Sequence, residues 1–326
     1  ARPALRFTSN AVGDIRDCVL RHNKSHGAVA AGASHLRLER CKFIENNGTG
    51  VVVQDAATAT LRENVFIRNK DFGIVACGSS STDVLGTRFE GQMRPAVAFR
   101  DNALGKVSQN SFVAGDKQGI VVFGASCPLV EDNVLQGHKM PAILLHDHAS
   151  SIVRSNTLEE NRGVGIVASG FSRPTIENNV LRNNKRRAFE AAGDPHSRDR
   201  DDDENIDAST SRKVMKAAIS VRDNAGGVVS ANVLEGNDGY GILVCGTANP
   251  IVQGNRIANS AKAAIAVFDD ARPVFGSNSL NDSRGIGIYV SGESCAPHLA
   301  CSSSVVMPAA NVDLSQTHEP CLQRPE

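Results

Sequence analysis

Large apolar side chains recur every 23 residues along most of the chain. The clearest position carries phenylalanine, leucine or isoleucine in each repeat, and its series resumes after a break at residues 185–214. Its members are Leu20, Phe43, Phe66, Phe89, Phe112, Leu135, Leu158, Leu181, Leu234, Ile257 and Leu280. Within one repeat the apolar positions lie two apart, as at Ile120 and Val122, and β-branched residues dominate. This spacing predicts short β-strands rather than helices.

A repeat of 23 residues holds too few apolar side chains to bury a core alone, so successive repeats must stack on one another. We therefore predict an all-β fold, a right-handed single-stranded parallel β-helix (a solenoid) of about 12 coils of 23 residues. This β-helix is predicted to span residues 1–301. Residues 302–326, which contain three prolines, are expected to form a C-terminal cap and tail.

Asparagine occupies a second fixed position of the repeat. An internal asparagine can pair its amide with the coils above and below it, which satisfies polar groups that would otherwise be buried without a partner. The predicted ladder consists of Asn64, Asn110, Asn133, Asn156, Asn179, Asn232, Asn255 and Asn278, with Cys18 and Cys41 earlier at the same position. Glycine and aspartate alternate at a third position, from Gly32 and Asp55 onward, which predicts turns and a 46-residue unit of two coils.

Residues 185–214 interrupt the repeat with a 30-residue segment that is dense in both charge signs, and we expect a surface loop there. The segment contains Asp194-Pro195-His196, which resembles the Asp-Pro-His motif of alginate C5-epimerases. In that family the motif lies on the helix body beside other polar catalytic residues, whereas here it falls in the insertion. The acidic run that follows could bind Ca²⁺ or a basic partner, but its interspersed arginines favour a solvated loop.

Composition and cysteine spacing exclude several classes of function. The formal net charge is zero and no apolar run reaches the length of a membrane span, so neither nucleic acid nor a membrane is an expected partner. Eight cysteines are scattered without a Cys-x-x-Cys pair, which argues against zinc and favours free thiols in a reducing compartment. We therefore expect no metal and no cofactor, and an intracellular location, cytoplasmic or cytoskeleton-associated.

The outward position of the first strand between its two buried columns holds no group that could donate a proton or bind a metal, and the next outward position is mixed but carries no acid, so we predict no catalytic residue there. The first of these two positions is apolar in almost every repeat, and strands that are apolar on both faces are normally covered on both faces. A protein partner, within a large assembly, would provide that cover, and the insertion or the tail is the alternative. The predicted binding residues are Val75, Val121, Leu144, Val167, Leu243 and Tyr289.

His146-Asp147-His148 has the residue types of a catalytic or metal site. Asp147 belongs to the alternating glycine and aspartate position, however. A turn-capping aspartate between two partly exposed histidines is therefore the simpler interpretation.

Two repeats carry a resemblance to known proteins. The segments KQGIVVFGASCPLVEDNVLQGH (117–138) and GYGILVCGTANPIVQGNRIANS (239–260) resemble the parallel β-helix repeats of carbohydrate-binding and sugar-hydrolase proteins. The coil length and the Asn-Pro-Ile-Val tract at 249–252 look closest to the β-helix of F-box-only ubiquitin-ligase substrate receptors. The resemblance implies the β-helix fold and two settings for it, a ubiquitin-ligase receptor or a cytoskeletal-type assembly.

These observations together predict a non-enzymatic scaffold, a rigid β-helix that binds a protein partner through its apolar outward face. The alternative is a carbohydrate-active β-helix enzyme, which would be a polysaccharide lyase, hydrolase or C5-epimerase. Such an enzyme would need acids and arginines clustered around one groove.

Overall fold

The computed structural model describes residues 2–184, 215–281, 283, 287–292, 298–299 and 312–313. Its strands wind into a parallel β-helix in which each coil adds one strand in turn to sheets A, B and C. Eleven coils of the described residues carry all three strands and no helix occurs among them, so the predicted all-β solenoid is confirmed. The insertion at 185–214 and most of the predicted tail at 302–326 lie outside the described residues.

The three sheets are built from strands of two to five residues, all paired in parallel. Sheet A contains Leu5–Phe7, Ala28–Ala30, Val51–Val53, Ile74–Ala76, Val97–Phe99, Ile120–Val122, Ile143–Leu145, Ile166–Ala168, Ala217–Val221, Tyr240–Val244, Ile265–Phe268, Ile288–Ser291 and Val312–Asp313. Sheet B contains Val12–Arg16, His35–Glu39, Thr58–Arg62, Ser81–Leu85, Leu104–Ser108, Leu129–Glu131, Ile152–Arg154, Thr175–Glu177, Val228–Ser230, Ile251–Gln253, Val274–Phe275 and His298–Leu299. Sheet C contains Val19–Arg21, Lys42–Ile44, Val65–Ile67, Arg88–Glu90, Ser111–Val113, Val134–Gln136, Thr157–Glu159, Val180–Arg182, Val233–Glu235, Arg256–Ala258 and Ser279–Asn281. Coils are numbered by their strands in sheet A, from coil 1 at Leu5 to coil 12 at Ile288.

The core is a column of like residues stacked on like, because each coil repeats the pattern of its neighbour. Phe43, Phe66, Phe89 and Phe112 stack along the axis with ring centroids 4.7, 5.0 and 4.8 Å apart. All four rings are buried. The series continues with leucine and isoleucine, so one interior runs through all the complete coils.

The asparagines form a continuous ladder at the turn between sheets B and C. The backbone N–H and the side-chain Nδ2 of Asn133 both donate to Asn156 Oδ1, at 3.0 and 2.9 Å. Asn133 Nδ2 also donates to the carbonyl of Val107 in the coil before. The same arrangement links Asn110 to Asn133 and Asn156 to Asn179.

A second ladder, which the repeat analysis missed, lies after sheet C. Asn161 N and Nδ2 both donate to Asn184 Oδ1 at 3.0 Å, and Asn184 binds Asn237 in the same way across the insertion. His138 takes the asparagine position in coil 6 and donates its backbone N–H to Asn161. Burial lowers the pKa of the His138 imidazole, so the ring is neutral at pH 7.

The alternation of glycine and aspartate at the turn after sheet A has a steric cause. Every described residue there from Gly32 to Asp269 has a positive φ, between 57 and 74°. The carboxylate of each aspartate accepts the N–H of the glycine one coil earlier, as Asp147 Oδ2 does from Gly124 at 2.9 Å. A Cβ on Gly124 would lie 2.6 Å from the carbonyl oxygen of Asp101 in the coil below. A side chain at the Gly124 position would therefore require the neighbouring turn to shift, which restricts this position to glycine.

We expect Gly124→Ala to lower the free energy of unfolding by about 2 kcal/mol or more, because alanine would meet both an unfavourable φ and a backbone clash. Gly137→Ala is the matched control. Gly137 also has a positive φ, but its added Cβ would lie 3.6 Å from its nearest neighbour. This variant should lose only about 1 kcal/mol. Urea denaturation followed by circular dichroism measures both, and equal losses would contradict the role of the clash.

Candidate functional site

The predicted binding residues lie on the outward face of sheet A, and the structure buries that face. Val121, Leu144, Val167 and Leu243 are each at most 3 % exposed, and Val75 is 8 % exposed. The expected exposed apolar stripe is therefore absent from these coils. Flanking residues account for this in part, since Phe72, Val164 and Phe123 pack against the column from both sides.

Tyr289, the sixth predicted residue, is half-buried in a separate cluster on sheet A. Its ring lies 5.5 Å from Phe268, which in turn contacts Tyr240 at 5.8 Å. Lys262 Nζ lies 4.9 Å from the centre of the Tyr240 ring. Burial, with a smaller contribution from Tyr289, raises the pKa of the Tyr240 hydroxyl. Both tyrosines of the chain are thus brought together. Binding of a partner by these residues stays a prediction.

The His146-Asp147-His148 motif is divided by the turn it forms. His146 Nδ1 lies 2.9 Å from Ser169 Oγ on the sheet A side, and Asp147 caps Gly124. His148 points to the other side of the turn, where its ring stacks on that of Phe171 at 5.4 Å. The two histidines therefore do not converge on one ligand.

A trough runs along the corner between sheets A and B, next to this turn. At the corner a small residue points into the core, while the residues directly before and after it point outward. In coils 7, 9, 10 and 11 the corner residue is an alanine with no exposed surface, at Ala149, Ala225, Ala248 and Ala271. We call the outward residues on one side the sheet A wall, which in coils 7–11 is His148, Phe171, Asn224, Thr247 and Asp270. The sheet B wall is Ser150, Arg173, Gly226, Asn249 and Arg272.

The walls change character halfway along the rod. In coils 1–6 they carry no aspartate, glutamate, lysine or arginine. In coils 7–11 they carry an exposed aromatic ring, two arginines and an aspartate. Phe171 is 54 % exposed and fills no position of the core, although most phenylalanine side chains are buried. The core imposes no such change, because the buried columns keep the same pattern throughout.

At coils 10 and 11 the trough contains an open cavity of about 600 Å³ that is lined by Thr247, Asn249, Asp270, Arg272 and Val274. Proline follows both Asn249 and Arg272, which restricts these two residues to extended backbone and holds them on the wall. Thr247 Oγ1 donates to Asn224 Oδ1 at 2.6 Å.

Asp270 is placed differently from the aspartate that precedes it. Asp269 Oδ2 accepts the N–H of Gly246 at 2.9 Å and is part of the turn. Asp270 is exposed in the trough, and among the described residues no ion pair or side-chain hydrogen bond engages it or Arg272. The trough thus presents one acid and one guanidinium to a ligand.

The sequence contained a signal for this site. Asp270 and Arg272 stand at positions where the first six repeats carry no aspartate, glutamate, lysine or arginine. The predicted binding residues lie on the first strand, whereas this site lies at the corner that follows that strand.

Other site types find no support in the described part of the chain. No group of three or more histidine, cysteine, aspartate or glutamate side chains could hold a metal ion there. No described helix has the length and hydropathy needed to cross a membrane. Cys18, Cys41, Cys77, Cys127 and Cys245 are free thiols. The Asp194-Pro195-His196 motif lies outside the described residues.

Solved structures with a similar fold include those of a carbohydrate enzyme. A variant of the periplasmic alginate epimerase AlgG aligns with a TM-score of 0.57 and 13 % identity, covering 82 % of this chain and 64 % of that one. The unmutated AlgG aligns with a TM-score of 0.53 and 13 % identity, with the same coverage of both chains. A second variant of AlgG aligns with a TM-score of 0.53 and 11 % identity, covering 89 % of this chain and 76 % of that one. The chain thus spans less than two thirds of the first two relatives. No curated protein sequence matches it significantly.

These comparisons correct the predicted function. The expected non-enzymatic scaffold is contradicted by these matches, which include structures of an alginate epimerase. The closer likeness to F-box-only receptors and the ubiquitin-ligase and cytoskeletal settings gain no support from them.

A model of the right-handed β-helix region matches residues 3–157, 129–197 and 199–307. Because these matches cover most of the chain, the protein belongs to the right-handed β-helix family.

Proposed function

We propose that this β-helix is part of a carbohydrate-active enzyme and that its trough binds an anionic polysaccharide. The observation that carries the proposal is the change in the trough walls at coil 7, after which two guanidinium groups, a carboxylate and an exposed phenyl ring appear on walls that carry no aspartate, glutamate, lysine or arginine in coils 1–6. Arginine binds carboxylates through paired charge-assisted hydrogen bonds, and amide and hydroxyl groups such as those of Asn249 and Thr247 suit sugar hydroxyls.

The shape of the trough suits a linear polymer. Five coils at a strand spacing of about 4.8 Å make a wall of roughly 20 Å that runs parallel to the axis. The exposed, stacked pair of His148 and Phe171 lies at one end, and the cavity with Asp270 and Arg272 lies at the other. A sugar chain laid along the axis would contact both.

Within this class we favour epimerase or lyase chemistry over hydrolysis. Hydrolysis by two carboxyl groups needs them about 5–10 Å apart. Of the two neighbouring aspartates, Asp269 is engaged in its turn and only Asp270 faces the trough. An epimerase or a lyase removes the proton beside a uronate carboxylate, and a cation such as Arg272 would stabilise the charge that develops there. The fold similarity to the alginate epimerase AlgG agrees with this choice.

The first experiment offers alginate and polygalacturonate to the purified chain. Inversion at C5 followed by NMR reports an epimerase, and absorbance of unsaturated ends reports a lyase. Release of reducing ends without unsaturation reports a hydrolase. Failure to bind or convert any polyuronate would contradict the proposal.

We expect Arg272→Ala to weaken polyuronate binding at least about tenfold, which corresponds to about 1.4 kcal/mol. Arg256→Ala is the matched control, because Arg256 is an exposed arginine on sheet C of coil 10, away from the trough. Isothermal titration at two salt concentrations measures both variants. Equal affinities for the two would remove Arg272 from the site. The predicted intracellular location and the absence of nucleic-acid and membrane partners stay predictions.

A further inference from the structure

The outer face of sheet B changes from charged to apolar halfway along the rod. One outward position, paired in register from coil to coil, forms a single column on this face. In coils 1–5 it carries Asp14, Arg37, Thr60, Asp83 and Lys106. In coils 6–11 it carries Leu129, Ile152, Thr175, Val228, Ile251 and Val274, which we call the sheet B stripe.

The sheet B stripe is open to solvent, unlike the outward column of sheet A. Ile152 is 42 % exposed and Ile251 is 40 % exposed. The stripe is about 24 Å long, from five strand spacings, and about 15 Å wide when the flanking residues are included. Two such faces in contact would bury roughly 700 Å² in total, the size of a weak and transient contact. Exposed, contiguous apolar surface of this kind marks a contact site.

We propose that a second copy of this chain packs on the sheet B stripe, antiparallel, with a two-fold axis between coils 8 and 9. This symmetry sets coil 7 of one copy against coil 10 of the other. The two most exposed residues then meet, since Ile152 faces the partner's Ile251. Leu129 in coil 6 faces the partner's Val274 in coil 11. An interface of this type is isologous, so each contact occurs twice.

The residues that flank the sheet B stripe fit this arrangement. Across the axis Arg173 lies opposite the partner's Gly226, which has no side chain. On the other flank Glu131 lies opposite the partner's Gly276, and Glu177 opposite the partner's Ser230. Large charged residues thus meet small or neutral ones throughout, and no pair of like charges is formed.

A parallel arrangement of the two rods is disfavoured by the charged half of the column. With the two-fold axis along the rods, every residue of the column would face its own copy. Asp83 would face the partner's Asp83, and Lys106 the partner's Lys106. Like charges placed directly opposite one another are repulsive. The antiparallel arrangement sets coil 5 against the partner's coil 12 and coils 1–4 beyond that coil, so no residue of the charged column faces its own copy.

The antiparallel dimer has a consequence that rests on the proposed function. The two-fold axis brings the sheet B walls of the two copies to the same edge of the interface. The troughs therefore adjoin, and the Asn249 wall of one copy lies beside the partner's Ser150 wall. Together they form one cleft with two sides. We expect a dimer to bind alginate more tightly than a monomeric variant does.

The oligomeric state tests the interface itself. Sedimentation velocity of the full chain from about 1 to 100 µM should show a concentration-dependent dimer, as a small interface implies. The variant Ile152→Lys, Ile251→Lys should stay monomeric over this range. Val134→Lys is the control, because Val134 is 41 % exposed on sheet C. A wild-type monomer at every concentration would overturn the proposal, as would a dimer that the paired lysines leave intact.

Cysteine cross-linking tests the orientation. Ile152 and Ile251 are three coils apart in one chain, about 14 Å, which is too far for an internal disulfide. The variant Ile152→Cys, Ile251→Cys should form a covalent dimer on oxidation, and the single variants and the wild type should not. A covalent dimer of Ile152→Cys alone would overturn the antiparallel geometry. A monomer in which only alginate slows thiol labelling of Ile251→Cys would assign the stripe to the polysaccharide and overturn the dimer.

The two proposals can fail separately. Polyuronate turnover by a strictly monomeric chain would overturn the dimer and keep the proposed function. An antiparallel dimer that binds no polyuronate would do the reverse.

Discussion

Replacing Phe89 by alanine is expected to lower the free energy of unfolding by about 3–5 kcal/mol. The ring is 1 % exposed and is stacked between Phe66, at 5.0 Å, and Phe112, at 4.8 Å. Alanine would leave a cavity in the middle of the stack, and strands on both sides are held by parallel pairing and cannot collapse to fill it. The loss combines the transfer of the ring to water, the cavity, and the ring contacts themselves.

The matched control is Phe89→Leu. Leucine fills the same position in coils 6–8, at Leu135, Leu158 and Leu181, so the β-helix accepts it there. This variant should lose less than about 1.5 kcal/mol. Urea denaturation monitored by circular dichroism measures the two side by side. If leucine cost as much as alanine, the stability would depend on aromatic stacking and not on filled volume.

Asn156→Ala is expected to cost about 3 kcal/mol or more, although it removes a small polar side chain. Asn156 Oδ1 accepts from both N and Nδ2 of Asn133, and its own Nδ2 donates to the carbonyls of Val130 and Arg154 and to Asn179. The side chain has no exposed surface. Alanine would leave donors and acceptors in three coils buried without partners, and each such group costs about 1–3 kcal/mol.

Asn102→Ala is the control for this prediction. Asn102 lies in the exposed turn after sheet A of coil 5, where water can replace its hydrogen bonds. The free energy of unfolding of Asn102→Ala should fall by no more than about 0.5 kcal/mol. Amide hydrogen exchange supplies a second measurement, since Asn156→Ala should speed exchange at Asn133 N–H and leave coil 2 unchanged. A uniform increase along the rod would instead mean that the coils do not respond locally.

The ladders connect stability to the proposed function. The trough walls are single outward residues in successive coils, so their mutual spacing depends on the register of those coils. The register is fixed by Asn179 and Asn232, which remain bonded to each other at 3.0 Å although the insertion separates them in sequence. Arg173 and Gly226 are therefore neighbours in the trough wall despite being 53 residues apart.

The predicted binding face and the candidate site lie on different surfaces of the coil. The outward position of sheet A is apolar in sequence, and an apolar strand face suggests a partner. In the structure its side chains are covered, in coils 4–8 by contacts with residues such as Phe72 and Phe123. The polar positions that matter for the proposed function come four to six residues later, around the buried Ala248 and Ala271.

The second ladder was missed for a related reason. Its members are not all asparagine, since Gln92 and His138 take the position in coils 4 and 6. The first ladder was recognisable because it is asparagine in eight repeats. The second depends on geometry, which lets Gln92 Nε2 reach the carbonyl of Phe66 as Asn69 Nδ2 reaches that of Phe43.

The sequence by itself determined the coil, its length, its inward columns and its turns, because each coil contacts mainly the next one and a 23-residue period records that contact directly. The tertiary structure alone decided which outward columns are covered and which stay open. It also decided that Asp270 and Arg272 share a cavity while His146 and His148 do not. These outcomes depend on the direction of side chains at a corner between two sheets, which a one-dimensional pattern of polar and apolar residues does not contain.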